Sequence, residues 1–195
     1  GRIVVKLKFQ PRESLFIVFR DELSSDIPVY SEPEQKYIPE DLKGILEFED
    51  LPGKKPVEIT ALKSWITFND QEIKYYSGKA RYSLKFDLPA DLINRKPLYL
   101  CIDSTKTPYE ISINDQPAGC SAFPGHRFDV SSMVREKDNT VVIRVANPYR
   151  NRIIGDFVLY GSLKDLWTTS PVSSLPGKYH PLLESGIMGP LTFYY

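Results

Sequence analysis

Cysteine, histidine, net charge and long apolar runs are all scarce in this chain of 195 residues. Two cysteines, Cys101 and Cys120, are too few for a disulfide framework. They read as two buried thiols, with a single bridge open if the strands that carry them lie side by side. The two histidines, His126 and His180, stand alone, without the spacing of a metal site. Formal net charge is zero, from 25 basic and 25 acidic residues. That balance excludes a binder that holds nucleic acid or a membrane surface through a basic face. No apolar run approaches the roughly 18 residues of a membrane-spanning helix. Neither a nucleophile elbow of the G-x-S-x-G type nor a phosphate-cradling glycine loop occurs. A signal peptide is also missing. The chain starts within strand-like sequence, Gly1 reads as a cloning remnant, and the whole is expected to be a piece of something larger.

What the chain does have is 16 prolines, 12 tyrosines and 10 phenylalanines, the mark of β-structure with many turns. Alternation predicts a half-buried strand over Ile3–Phe9, and the apolar run Leu15–Phe19 predicts a central strand buried on both faces. Residues 21–42, polar and proline-bearing, read as a long surface loop. Short strands are expected at Ile45–Phe48 and Val57–Ile59. The cleanest one has Ala80, Tyr82, Leu84, Phe86 and Leu88 on one face and Arg81, Ser83, Lys85 and Asp87 on the other. Further strands follow at 98–102, 109–113 and 140–146, with Asn114-Asp115 a tight turn. After 156 the chain is loop-rich until Leu191–Tyr195. Many short strands and almost no helix predict an antiparallel β-sandwich or barrel. The expected division is an N-terminal β-segment, residues 1–60, packed on a sandwich of residues 61–195.

One stretch stands apart. Val141, Ile143 and Val145 make a strand that Asn147-Pro148 stops. Then comes Tyr149-Arg150-Asn151-Arg152-Ile153-Ile154-Gly155-Asp156, a mixture of aromatic, guanidinium, amide and carboxylate groups that a plain hairpin does not need. It reads as a polar loop.

Four pieces in order carry a resemblance: Tyr76-Ser77-Gly78-Lys79-Ala80-Arg81-Tyr82 with Phe86-Asp87-Leu88-Pro89; Ile113-Asn114-Asp115-Gln116-Pro117-Ala118-Gly119; Arg127-Phe128-Asp129-Val130; and Asn147–Asp156. Together they resemble the sugar-binding-type jelly roll of glycoside hydrolase family 2. With Ser185-Gly186-Ile187-Met188-Gly189-Pro190, the chain is similar to the C-terminal region of bacterial enzymes related to the family 106 α-L-rhamnosidases. Two departures stand out: Asn114-Asp115 replaces a frequent Asn-Gly, and Ile45-Leu46 follow Gly44 where a tryptophan is expected. The resemblance implies a galactose-binding-domain-like jelly roll, a periplasmic or extracellular location, and a catalytic domain elsewhere in the parent chain as partner. It transfers no catalytic residue, because the carboxylates of such enzymes belong to a barrel domain upstream. Some jelly-roll modules bind Ca²⁺, but no Asp-rich loop here indicates one, and no cofactor is expected.

A sugar offers apolar C–H faces and a rim of hydroxyls, so its sites pair an aromatic ring with fixed polar groups. Tyr149, Arg150, Asn151, Arg152 and Asp156 supply both kinds, and so do Phe123, His126 and Arg127. Trp167, with Tyr179 and His180, makes a third set. Each has a structural alternative: Arg152 pairing with Asp156 to pin the loop, Tyr149 capping the core edge, Trp167 packing under a long loop, His126 lying on the surface. The leading expectation is a non-catalytic accessory domain of a larger glycoside hydrolase that supports the catalytic domain and contacts carbohydrate. The alternatives are an autonomous carbohydrate-binding module and, third, a free-standing glycosidase.

Overall fold

The computed structural model describes residues 35–195 together with positions 4, 5, 7, 14 and 16–19. The chain divides into two compact units, Gly1–Glu32 and Pro33–Tyr195. In the first, the strand expected over Ile3–Phe9 lies mostly outside the described residues. Phe16–Phe19 form no strand, and Phe16 is 95% exposed, so the expectation of a buried central strand fails. An apolar run makes a central strand only where neighbours pair with it on both sides, and among the described residues none pairs with Phe16–Phe19.

Among the described residues the second unit contains ten strands: β1 Lys36–Tyr37, β2 Lys43–Phe48, β3 Val57–Ile59, β4 Gly78–Phe86, β5 Tyr99–Ile102, β6 Tyr109–Ile113, β7 Gln116–Ser121, β8 Arg127–Asp129, β9 Asn139–Asn147 and β10 Leu191–Tyr194. They form two sheets, β3-β2-β4-β9-β6-β7 and β1-β10-β5-β8, with every pairing antiparallel. The expected all-β antiparallel sandwich is therefore the observed fold. Residues 36–59, expected as a segment packed on the sandwich, supply three of its strands, and β1 lies within the stretch read as a loop. The short helices are α1 Gln71–Lys74, α2 Ala90–Ile93 and α3 Arg150–Leu159.

The alternation seen in the sequence becomes the core. Ala80, Tyr82, Leu84 and Phe86 of β4, Val141, Ile143 and Val145 of β9, and Ile111 and Ile113 of β6 are all buried. Leu100, Phe128, Leu191 and Phe193 face them from the smaller sheet, and the Phe86 and Phe193 rings meet at 5.4 Å. β7 was not foreseen as a strand, since Pro117 and Gly119 disguise it. The Asn114-Asp115 turn joins it to β6 with both φ angles positive, 48° and 66°.

Among these core residues Tyr82 has a second task. Its hydroxyl oxygen accepts the indole N–H of Trp65 at 2.7 Å and the backbone N–H of Ile187 at 3.1 Å. Ser185 N–H donates to Ser64 Oγ at 3.0 Å, and Trp65 N–H donates back to the Ser185 carbonyl at 3.1 Å. Gly186 sits between, at φ +74°, where a Cβ would collide with Trp65 Nε1 and come within 2.5 Å of the Tyr82 oxygen. Glycine is required there on both counts, conformation and space. The Ser185–Pro190 motif is thus a seam that closes over Trp65.

Burial pushes the phenols of Tyr76, Tyr82 and Tyr109 up to about 12 from an ordinary 10.0. Unfolded, these phenols ionise near the ordinary value; folded, they keep their protons for longer. Their contribution to stability is therefore complete below pH ~10 and is lost as pH rises toward ~12. Burial raises the Cys101 thiol as well, from 9.0 to about 12, so urea unfolding midpoints should begin to fall near pH ~9 and fall more steeply above ~10, and a flat midpoint from ~9 through ~11.5 would contradict the burial argument.

Candidate functional site

The residues expected as a polar loop after β9 fold as α3. The expectation failed because polar residues obscured a helical spacing already in the sequence: Arg152 and Asp156 lie one turn apart. Arg152 Nε and Asp156 Oδ1 are 2.8 Å apart, and the Asp156 side chain is 2% exposed. The other carboxylate oxygen accepts the Lys164 N–H at 3.1 Å, while Arg152 Nη2 donates to the Lys164 carbonyl at 3.1 Å. Asn151, also buried, grips Leu183 at both ends: its Nδ2 donates to the Leu183 carbonyl at 2.6 Å and its Oδ1 accepts the Leu183 N–H at 2.9 Å. Arg150 reaches the Pro181 carbonyl at 3.5 Å, with its Nε buried and unpartnered among the described residues. Gly155 lets the helix press against Tyr75, whose Cγ would lie 2.5 Å from an added Cβ.

Three of the candidate side chains, Asn151, Arg152 and Asp156, are therefore spent on holding the 161–184 stretch to α3. They are fasteners, and sugar hydroxyls would have to compete with these bonds. The aromatic candidates are different. Tyr149 is 62% exposed, Phe123 45% and Trp167 84%, so Tyr149 and Trp167 do not pack as their structural alternatives required. Tyr160, Val172, Tyr179 and Leu183 are exposed as well. Lys164 Nζ lies 4.5 Å from the Tyr160 ring centre and Lys178 Nζ 5.0 Å from that of Tyr179.

Phe123 and His126 occupy the β7–β8 loop. The His126 ring meets Phe128 at 4.7 Å, and the Arg127 guanidinium lies 4.4 Å from the centre of Tyr194, so Arg127 belongs to the outside of the smaller sheet. The candidates do not form one site. The structure nevertheless brings two of the three sets to one end of the larger sheet: Asn147, which leads into α3, pairs with Gly78 at the start of β4, and Ser121, which leads to Phe123, pairs with Tyr109 at the start of β6. At that end an open cleft crosses four strands, lined by Lys79, Glu110 and Arg144 among others. None of those three was foreseen, although the alternation of their strands marks them as outward-facing. Only the cross-strand register, which the sequence does not print, shows that they are neighbours.

Both cysteines are free; Cys101 is buried in β5 and Cys120 is exposed on β7. The expectation of two buried thiols thus fails for Cys120, because Gly119 and Cys120 occupy an edge strand with no further neighbour. The two lie in different sheets and are not bridged. Among the described residues no group of three His, Cys, Asp or Glu side chains is placed to hold a metal ion, and no helix is long and apolar enough to cross a membrane.

Residues 46–173 match the profile of the sugar-binding domain of glycosyl hydrolases family 2. A Formosa agariphila protein bearing a beta-glucuronidase name is 30% identical over 164 residues, covering 73% of this chain and 14% of its own length. A rhamnosidase from Novosphingobium sp. PP1Y superposes with a TM-score of 0.70 at 26% identity, over 87% of this chain and 16% of that one. The beta-glucuronidase of Bifidobacterium dentium shares the fold, with a TM-score of 0.53 at 19% identity, over 84% of this chain and 30% of that one. The chain thus spans a small fraction of the length of these relatives.

Arg152→Ala leaves the buried Asp156 carboxylate with one N–H donor. We expect a loss of about 1–2 kcal/mol, scaled down from a fully buried pair because the arginine side is partly solvated. Thermal unfolding measures it, and an unchanged Tm would show that α3 does not depend on the pair.

Proposed function

This chain belongs to the family of sugar-binding domains of the family 2 glycosyl hydrolases, and from that premise we propose that it is a non-catalytic accessory domain of a larger glycoside hydrolase. In this reading it seats against the catalytic domain of the parent polypeptide and contacts carbohydrate at one end of the sandwich. The observation that carries the docking part is the surface formed by α3 and the stretch after it. Tyr160, Trp167, Val172, Tyr179 and Leu183 present large apolar side chains to solvent. They do so on a segment whose ends are fixed by Asn151, Arg152 and Asp156. Exposed apolar side chains on a segment whose two ends are fastened are suited to a partner, since part of the ordering entropy is already lost before contact. Relatives several times longer than this chain supply the chemistry of such a partner: a further domain of the same polypeptide.

A second reading, an autonomous carbohydrate-binding module, draws on the exposure of Tyr149, Phe123 and Trp167. Tight glycan binding by the chain alone in calorimetric titration would favour it. Hydrolysis of aryl glycosides by the chain alone would overturn the non-catalytic reading.

The docking part is tested by Trp167→Asp combined with Tyr179→Asp. In the chain alone these exposed positions should leave the Tm unchanged. In the longer polypeptide the same pair should lower the Tm and separate the unfolding of this domain from the rest. An unaltered melting profile there would refute the docking surface.

A further inference from the structure

The cleft on the outward face of the larger sheet has a volume of about 810 Å³. Register explains why it exists. Lys79 pairs with Ala146, whose N–H donates to the Pro108 carbonyl, and Ala122 follows at the end of β7. One step along, Arg81 pairs with Arg144, Arg144 with Glu110, and Glu110 with Cys120. The short side chains of Pro108, Ala122 and Ala146 therefore stand among the long charged ones of Lys79, Glu110 and Arg144, and the difference in their lengths leaves the cleft. Its floor is Ala146, Pro108 and Ala122, while Glu49, Lys79, Glu110 and Arg144 rise around it.

We propose that this cleft binds a neutral saccharide of one to a few sugar units. Four observations converge on that class. The rim carries two cations and two carboxylates, so it has donors and acceptors but no net charge. A hydroxyl donates and accepts, and so meets both kinds; a uronate or phosphate would pair with Lys79 and Arg144 but be opposed by Glu49 and Glu110, and an amine the reverse, so the balanced rim gives neither charge a net advantage. Donors are also in surplus: among the described residues Arg144 spends only Nη1 on Glu110, at 3.2 Å, which leaves the rest of its guanidinium for a ligand. Between the charged groups the lining is apolar, from Pro108, Ala122 and Ala146, which suits the C–H face of a sugar. The volume falls within the range of small-ligand sites. The proposal rests on the carbohydrate-contact part of the function above and is independent of the docking part.

The cleft carries its own reporter. Cys120 lines it and is exposed, while Cys101 is buried, so maleimide labelling of the native protein reads the cleft alone. The probes are neutral disaccharides containing glucose, galactose, mannose or rhamnose, with a galacturonate disaccharide and inorganic phosphate as charged comparisons. At least one neutral disaccharide should slow labelling by about tenfold at ~10 times its Kd. The protection should vanish in Ala146→Trp, which fills the floor from an exposed position, and weaken in Arg144→Ala, which serves if the first variant does not fold. No slowing by any neutral disaccharide, stronger slowing by the charged probes, or undiminished protection in Ala146→Trp would each overturn the proposal. Calorimetric glycan binding that survives Ala146→Trp would overturn the cleft while retaining carbohydrate contact. Absence of both protection and calorimetric binding would remove carbohydrate contact as well.

Discussion

The hydroxyl of Tyr82 is the point on which this fold turns. It lies in the middle of the central strand of the larger sheet, fully enclosed, and it accepts two N–H groups from segments distant in sequence: the Trp65 indole and the Ile187 backbone. A buried donor without an acceptor costs about 1–3 kcal/mol, so the oxygen secures both segments at once. The rest of the closure follows from this. Gly186 must be glycine because Trp65 and Tyr82 occupy the space where a Cβ would stand. Thr105 bridges to Ile187 from the β5–β6 connection, and Ser104 accepts the N–H groups of Met188 and Gly189. The 185–190 seam delivers the chain to β10, which pairs with β5 in the smaller sheet. One phenol thus links the two layers of the sandwich.

The sandwich was legible because its main strands obey a period of two and are punctuated by proline and Asn-Asp. β4 and β9 were readable almost residue for residue, and they became the paired centre of the larger sheet. What was not legible has physical reasons. β7 carries Pro117 and Gly119, which a strand tolerates at an edge. α3 was hidden because its buried face is built partly from Asn151 and Asp156, and apolar periodicity does not register polar residues that are buried and bonded. Phe16–Phe19 had the right composition and, among the described residues, found no neighbour. The candidate site divided along the same line. Arg152 with Asp156 was readable from spacing as a structural pair, whereas the cleft depends on which outward residues of four strands stand abreast, which is long-range information.

The two surfaces proposed for function differ in character. The surface after α3 is apolar, rigidly footed and suited to permanent contact. The cleft is small, polar at its rim and electrically balanced, suited to a ligand that comes and goes. Both arise at the end of the larger sheet where β9 runs out and β6 and β4 begin. A sheet end is where connections can vary while the ladder stays the same, so chemistry collects there without cost to the core.

The grip of Asn151 on Leu183 has one more consequence. Together with the contacts to Lys164, it fixes both feet of the intervening stretch to a single helix. A loop whose ends are already held is insulated from its own length: doubling it adds only about 0.6 kcal/mol of closure entropy. The segment carrying Trp167 and Tyr179 can therefore lengthen, shorten or change its side chains while the sandwich registers almost none of it.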